Sequence, residues 1–298
     1  MTKLTQAAFD QAVEFILDNG TNLHGARCRF HFENGNAHDV IDALSCYQNL
    51  DGGFGHGLEG DLRTKNSSVL CTTVALQILK EIGAEPEHSM ITGAMDYLVR
   101  QYRHRNWSLI TPECNDAPHA PWWKYEHQCS RQFRANPGAE ILANLRTYPS
   151  MMCGTTRSNL AARALSHLET EELDMHDLIC YQRFYDTADV ELQSQMLPQL
   201  LRWAFEIVKV DEHDWEEYCL TPLDLVQHPD SPFADFFGEY LENNFEFQIR
   251  QQRQDGSWQP SWSWGSEYPA TWQVVEPELS AEVTLKFLRQ LQAFNMLT

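Results

Sequence analysis

Apolar residues recur at helical spacing along almost the whole chain, and this periodicity constrains the fold more than any other feature. Leu4, Ala8, Phe9, Ala12, Phe15 and Ile16 form one stripe, Val69, Thr73, Leu76, Leu79 and Ile82 a second, and Leu200, Leu201, Ala204, Phe205 and Val208 a third. Residues three or four apart share one face of a helix, so each stripe predicts an amphipathic helix with one side against a core. Strand-like alternation is scarce. The periodic segments between Gly, Pro and Asn-rich breaks number about ten to twelve, which predicts an all-α fold. Paired helices absorb 298 residues around one core, so a single domain over 1–298 is the expected organisation.

A second regularity concerns the turns between helices. A helix ends, a Gln follows, and an aromatic residue sits six positions later: Gln48 before Phe54 in YQNLDGGF, Gln101 before Trp107 in QYRHRNW, and Gln252 before Trp258 in QRQDGSW. The last carbonyls of a helix lack donors, which a Gln amide supplies, and a ring laid over the turn locks it. Two of the three contain an Asp-Gly step, Asp51-Gly52 and Asp255-Gly256, where glycine permits a tight reversal with φ > 0. Further helices are expected over Cys71 to Leu79, Ala139 to Leu145 and Ala281 to Leu291. Between Ser150 and Trp215 the helical spacing continues without a copy of the turn.

Apolar residues at 43% and charged residues at 21% suit a large packed core. Twenty-two Lys and Arg against forty-two Asp and Glu give a formal charge of -20, which repels nucleic acid and anionic lipid. The carboxylates are read as keeping the protein dispersed rather than as attracting a cation. Eight cysteines, at 28, 46, 71, 114, 129, 153, 180 and 219, include no CxxC pair and read as reduced thiols. Asp10, Glu14 and Asp18 interrupt the first apolar stretch, so it is expected as an amphipathic helix and not a signal peptide. No run approaches the ~20 apolar residues of a membrane span. A cytoplasmic protein with neither nucleic-acid nor membrane partner is expected, and no motif specifies a cofactor or an oligomeric state.

The turn segments, above all YQNLDGGFGHGLEGDLR and IRQQRQDGSW, resemble the QW motifs of terpenoid cyclases and the repeats of protein prenyltransferase β subunits. The resemblance runs from about Ala43 to Leu291 and implies an α/α toroid, in which helix hairpins close into a circle and inner helices line a central cavity. HAPWW, from His119 to Trp123, and NPGAEI, from Asn136, extend the similarity to a bacterial prenyltransferase-like group. A small-molecule ligand in that cavity, largely apolar and isoprenoid-like, is what the resemblance implies. The motifs that start the chemistry in those families are missing. There is no DxDD, and Glu169-Thr170-Glu171-Glu172 reads as a solvated helix junction. DDxxD is absent, and no Cys has Asp two positions before it, as a prenyltransferase zinc site requires. Glu217-Tyr218-Cys219 with His228, and the His24, Cys28, His31 spacing, are read as coincidence, so no metal is expected. Arg100, Arg103, His104 and Arg105 are read as helix C-terminal charge.

The densest chemistry lies in the loop after the first turn, where His56, Glu59, Asp61 and Arg63 fall within eight residues between glycines. Burial beside another charge raises a carboxylic acid's pKa and makes it a general acid, so Asp61, Glu59 and His56 are the expected catalytic residues. Arg63, His119, Trp122, Trp123, Tyr218, Trp264 and Glu276 are the expected substrate-binding residues, the rings as walls that stabilise a cation or carry a sugar. Against this stands a structural reading, an Asp61–Arg63 network or an Asp cap on a helix starting near Ser67. Three functions remain open: an isoprenoid-related enzyme or binder, a carbohydrate-active enzyme of the glycoside hydrolase or polysaccharide lyase kind, and a noncatalytic scaffold.

Overall fold

The computed structural model describes residues 2–126, 132–148, 150 and 152–298; Cys129, counted above among the thiols, lies outside the described residues. Among the described residues the protein is all-helical, with isolated bridges and no strand. In chain order the helices are α1 (Gln6–Asn19), α2 (Asn22–Phe32), α3 (Ala37–Ser45), α4 (Val69–Glu81), α5 (Ser89–Gln101), α6 (Ala135–Thr147) and α7 (Gly154–Thr170). They continue with α8 (Met175–Asp186), α9 (Val190–Ile207), α10 (Pro222–Leu225), α11 (Ala234–Phe237), α12 (Glu239–Arg250) and α13 (Pro269–Ala293). These are thirteen against the expected ten to twelve, and two of them, α10 and α11, are single turns of four residues. Among the described residues, no helix is long and apolar enough to cross a membrane.

Contacts divide the chain into two compact units, one of Met1–Ala43 with Val208–Thr298 and one of Leu44–Ile207. In the first unit α1 packs on α13 and α2, and α12 on α10 and α11. In the second, α6 packs mainly on α8 and also on α7 and α4, with α9 against α8 and α5 against α4. Local chemistry starts these helices. Thr5 Oγ1 accepts from the Ala8 N–H at the head of α1, and Ser68 Oγ from the Cys71 N–H at 3.0 Å at the head of α4. The cap of the helix after the loop is therefore Ser68 and not an Asp.

Each unit contains one copy of the same turn. Gln48 Nε2 donates to Gly52 O at 3.0 Å and to Met90 O of α5 at 3.2 Å. Gln252 Nε2 donates to Gly256 O at 3.0 Å and to Ala8 O of α1 at 2.8 Å. Asp51 and Asp255 each accept from the backbone N–H two residues on, at 3.0 Å. Phe54 N–H and Trp258 N–H each donate to a threonine hydroxyl, of Thr72 at 3.1 Å and of Thr284 at 3.0 Å. Gly52 and Gly256 have φ of 82° and 88°, and a Cβ on either would stand 2.5 Å from backbone of the neighbouring helix, at Gly93 or Gln11.

The Gln101 segment differs. Arg103 and Asn106 exchange both backbone hydrogen bonds at 2.9 Å, with His104 and Arg105 at φ of 52° and 68° forming the reversal. Non-glycine residues hold that region at a cost of roughly 1 kcal/mol each. Trp107 Nε1 still donates to Leu98 O at 2.7 Å, as Trp258 Nε1 does to Gln248 O at 2.6 Å. This segment thus keeps the ring lock of the Gln252 turn and replaces its amide-and-glycine reversal.

Candidate functional site

The loop after the Gln48 turn is a run of tight reversals, with Leu58 N–H donating to Gly55 O at 3.1 Å and Leu62 N–H to Glu59 O at 3.0 Å. It then pairs with a distant segment. Arg63 N–H donates to Pro118 O at 3.0 Å, Ala120 N–H donates to Asp61 O at 2.8 Å, and Leu62 lies opposite His119. This short antiparallel bridge fixes the HAPWW segment against the loop, and Pro121–Trp123 follows it as a single 3-10 turn. Leu62, with no exposure, is the apolar anchor between them.

The pairing brings Glu59, Asp61, Arg63 and Trp123 together. Glu59 as a residue keeps partial exposure, but its Oε2 is sealed from solvent and has no hydrogen-bond partner. Burial first, and the Asp61 carboxylate second, push its carboxyl up to about 8, while the Trp123 indole, the Asp61 backbone and the Arg63 guanidinium act in the opposite direction. Trp123 Nε1 is also sealed, and it approaches the carboxyl without closing a well-formed hydrogen bond. At neutral pH Glu59 is therefore a neutral acid carrying a transferable proton. The Cys71 thiol of α4 lies behind it, pushed up to about 12 chiefly by burial, and is held neutral.

The other expected residues occupy distinct places. Asp61 is 4% exposed and partnered, and the Arg63 guanidinium folds back over Gly57, where a Cβ would meet it at 3.1 Å. His56 is exposed, at φ of 56°, and its Nε2 lies 2.9 Å from Asn49 Oδ1, which ties it to the turn. His119 is buried, with Nδ1 2.7 Å from Ala117 O; that carbonyl can only accept, so the proton sits on Nδ1. Trp122 is exposed. Tyr218, Trp264 and Glu276 belong to the other unit. There Tyr218 meets Trp262 edge to face at 5.8 Å, Trp264 is fully buried against Trp272 and Tyr268, and Glu276 accepts from Gln259 Nε2 at 3.0 Å.

Among the described residues, no group of three or more His, Cys, Asp or Glu side chains is placed to hold a metal ion. His24, from the ligand-like His24, Cys28, His31 spacing, is a helix cap: its Nδ1 accepts from Thr21 N–H at 3.1 Å and its Nε2 meets Glu282 Oε2 at 3.2 Å.

Sequence reasoning missed a buried polar cluster built on Glu140 of the NPGAEI segment. Gln77 Nε2 of α4 donates to Glu140 Oε1 at 2.6 Å and Arg183 Nη1 of α8 to Oε2 at 2.7 Å, while the buried Cys180 thiol points at the same oxygen. A carboxylate inside the apolar stripe of α6 signals a partner cation, but nothing in the spacing names Arg183. Every oxygen of Glu140 is satisfied, in contrast to Glu59. No protein-family model matches the sequence, and no curated protein matches it significantly.

Proposed function

We propose that the chain is an α/α toroid of the terpenoid-cyclase and prenyltransferase kind, which takes a largely apolar, isoprenoid-type small molecule and delivers a proton to it from Glu59. Support for the repeat architecture comes from the glutamine turn, built with the same bonds in both units. The observation that carries the function is the sealed, unpartnered Oε2 of Glu59. A buried polar atom without a partner is unfavourable by roughly 1–3 kcal/mol, and a catalytic role is one of the reasons a fold retains such an atom.

The acidity of Glu59 narrows the chemistry. A carboxyl held near 8 is too weak to protonate an alkene and suits an oxygen that gains basicity as its C–O bond breaks. The proposed substrate therefore carries an alcohol, ether or epoxide oxygen at its reacting carbon. Glu59 gives its proton to that oxygen, the C–O bond cleaves with both electrons on oxygen, and the carboxylate left behind faces the carbocation. The Trp123 indole, the Asp61 N–H and Arg63 then stabilise the new carboxylate. Trp122 and Trp123 offer ring faces to the cation.

The exposed ring of Trp122, next in sequence to Trp123, and the Glu59–Asp61 carboxylate pair favour one second reading, a glycosidic oxygen as the proton acceptor and the ring as a sugar platform. A thermal-shift screen separates the two, since a ligand raises apparent stability by mass action. Neutral isoprenoid alcohols and epoxides are expected to raise Tm, and Glu59→Gln is expected to keep that shift while abolishing turnover. Stabilisation by oligosaccharides alone transfers the site to the second reading. A folded protein that responds to neither class, nor to prenyl diphosphates, leaves the scaffold reading.

A further inference from the structure

We infer that the groove along α1 is a docking site for a basic amphipathic helix of a partner protein. This rests on a different part of the molecule from Glu59. Phe9, Val13 and Leu17, four residues apart on α1, form an apolar floor with Phe32 of α2, and all four remain partly exposed. Phe9 meets Phe32 edge to face at 5.4 Å, which holds the floor in place. The groove encloses about 480 Å³.

Its rim is a row of carboxylates. Asp10, Glu14 and Asp18 follow the floor residues one position along, again four apart, and Glu33 adds a fourth. Arg29 reaches Glu33 at 4.0 Å, and the neutral Gln6 amide donates to Asp10 at 2.7 Å. Among the described residues, no cation pairs with Asp10, Glu14 or Asp18. Like charges one turn apart repel, so the row destabilises α1 when nothing faces it.

Charge complementarity selects the occupant. A partner helix with Lys or Arg four apart repeats the carboxylate spacing, about 6 Å per step along the axis. Apolar residues beside those cations fill the floor, as in helix-in-groove recognition. Nucleic acid and anionic lipid are repelled by the same row. A second copy of this chain brings a formal charge of -20 and is disfavoured for the same reason.

The test uses the full chain and a fluorescein-labelled synthetic helix of about 18 residues, with Lys at every fourth position and Leu beside each Lys. Fluorescence anisotropy at low salt is expected to show at least about tenfold tighter binding than a peptide of the same composition in scrambled order. The exposed double variant Glu14→Lys, Asp18→Lys, with its fold confirmed by circular dichroism, is expected to lose about tenfold, and Leu17→Asn a comparable amount. Equal binding of the scrambled peptide reduces the effect to general attraction by an acidic surface and overturns the proposal. Unchanged binding to the charge-reversed variant overturns it too, as does a dimer in sedimentation that these substitutions abolish.

Discussion

The two units carry the same glutamine turn, and each also holds a partly exposed glutamate whose environment sets its charge, but in opposite directions. Glu282 on α13 meets the Arg27 guanidinium and, at 3.2 Å, His24 Nε2. Burial raises its pKa, and Arg27 and His24 outweigh that and hold the carboxyl well below the usual carboxylate range. Glu59 has no such cation in contact with its Oε2, and burial together with Asp61 keeps it protonated. The turn is repeated while the setting of the glutamate is not. The charge of Glu282 is answered by cations, and that of Glu59 is suppressed by burial and by Asp61.

The largest expected effect tests the sameness of the turns. Gly52→Ala and Gly256→Ala each force a non-glycine residue to φ above 80° and place a Cβ 2.5 Å from backbone. Each is expected to lower stability by about 3 kcal/mol or more in chemical denaturation. A large loss at only one of them breaks the equivalence of the two turns.

Next comes the contrast between the glutamates. Glu282→Gln takes from the buried Arg27 a carboxylate in contact with it, a change for which roughly 3–5 kcal/mol is typical; with 41% of the Glu282 side chain exposed, solvent screening reduces the expected loss to about 2 kcal/mol. Glu59→Gln removes the proton uptake that folding requires of Glu59 at neutral pH and is expected to cost no stability there. Equal losses at the two positions remove the distinction between them.

The distinction sharpens with pH. Unfolded Glu59 releases its proton near 4.5 and folded Glu59 near 8, so over that window the folded state binds more protons and stability falls as pH rises. Glu282 works in the opposite sense: its contribution is present above 4.5 and is lost as pH falls toward its depressed folded value. Urea midpoints are expected to show Glu59→Gln gaining on the parent protein as pH rises from 5 to 8, with ~1.4 kcal/mol per pH unit as the ceiling. A difference that stays flat across that range contradicts a protonated Glu59.

What the sequence made legible follows from range. Helix positions are local, and the stripes at 4–16, 69–82 and 200–208 became α1, α4 and α9. The Gln48 and Gln252 turns were legible because their main bonds close within a few residues. The Gln101 turn was misleading, since the motif counts a Gln and a ring but not the glycine that shapes the reversal. In the site, the grouping of Glu59, Asp61 and Arg63 was local and visible. Its pairing with 118–120 spans more than fifty residues and leaves no periodic trace. His24 hid as a cap because a capping box is recognised by Glu or Gln at that position, and here an imidazole takes the role. Arg183 hid because an ion pair between α6 and α8 has no local signature.

The finest test separates the neighbours of Glu59 from one another. After burial, Asp61 is the stronger influence raising its pKa, and the Trp123 indole is the first of the influences lowering it. Asp61→Asn removes a like charge and is expected to bring the Glu59 titration down. Trp123→Phe keeps the ring and deletes only the N–H, and it is expected to move the titration up by a few tenths of a pH unit. Both are read from the carboxyl carbon resonance of Glu59 across a pH series, with Glu282 as an internal reference whose titration stays in place. Opposite displacements in the two variants fix Glu59 between a carboxylate and an indole donor. Movement of both in the same direction means that the substitutions act by admitting water, and the proton then belongs to a hydrated loop rather than to a site prepared for a substrate oxygen.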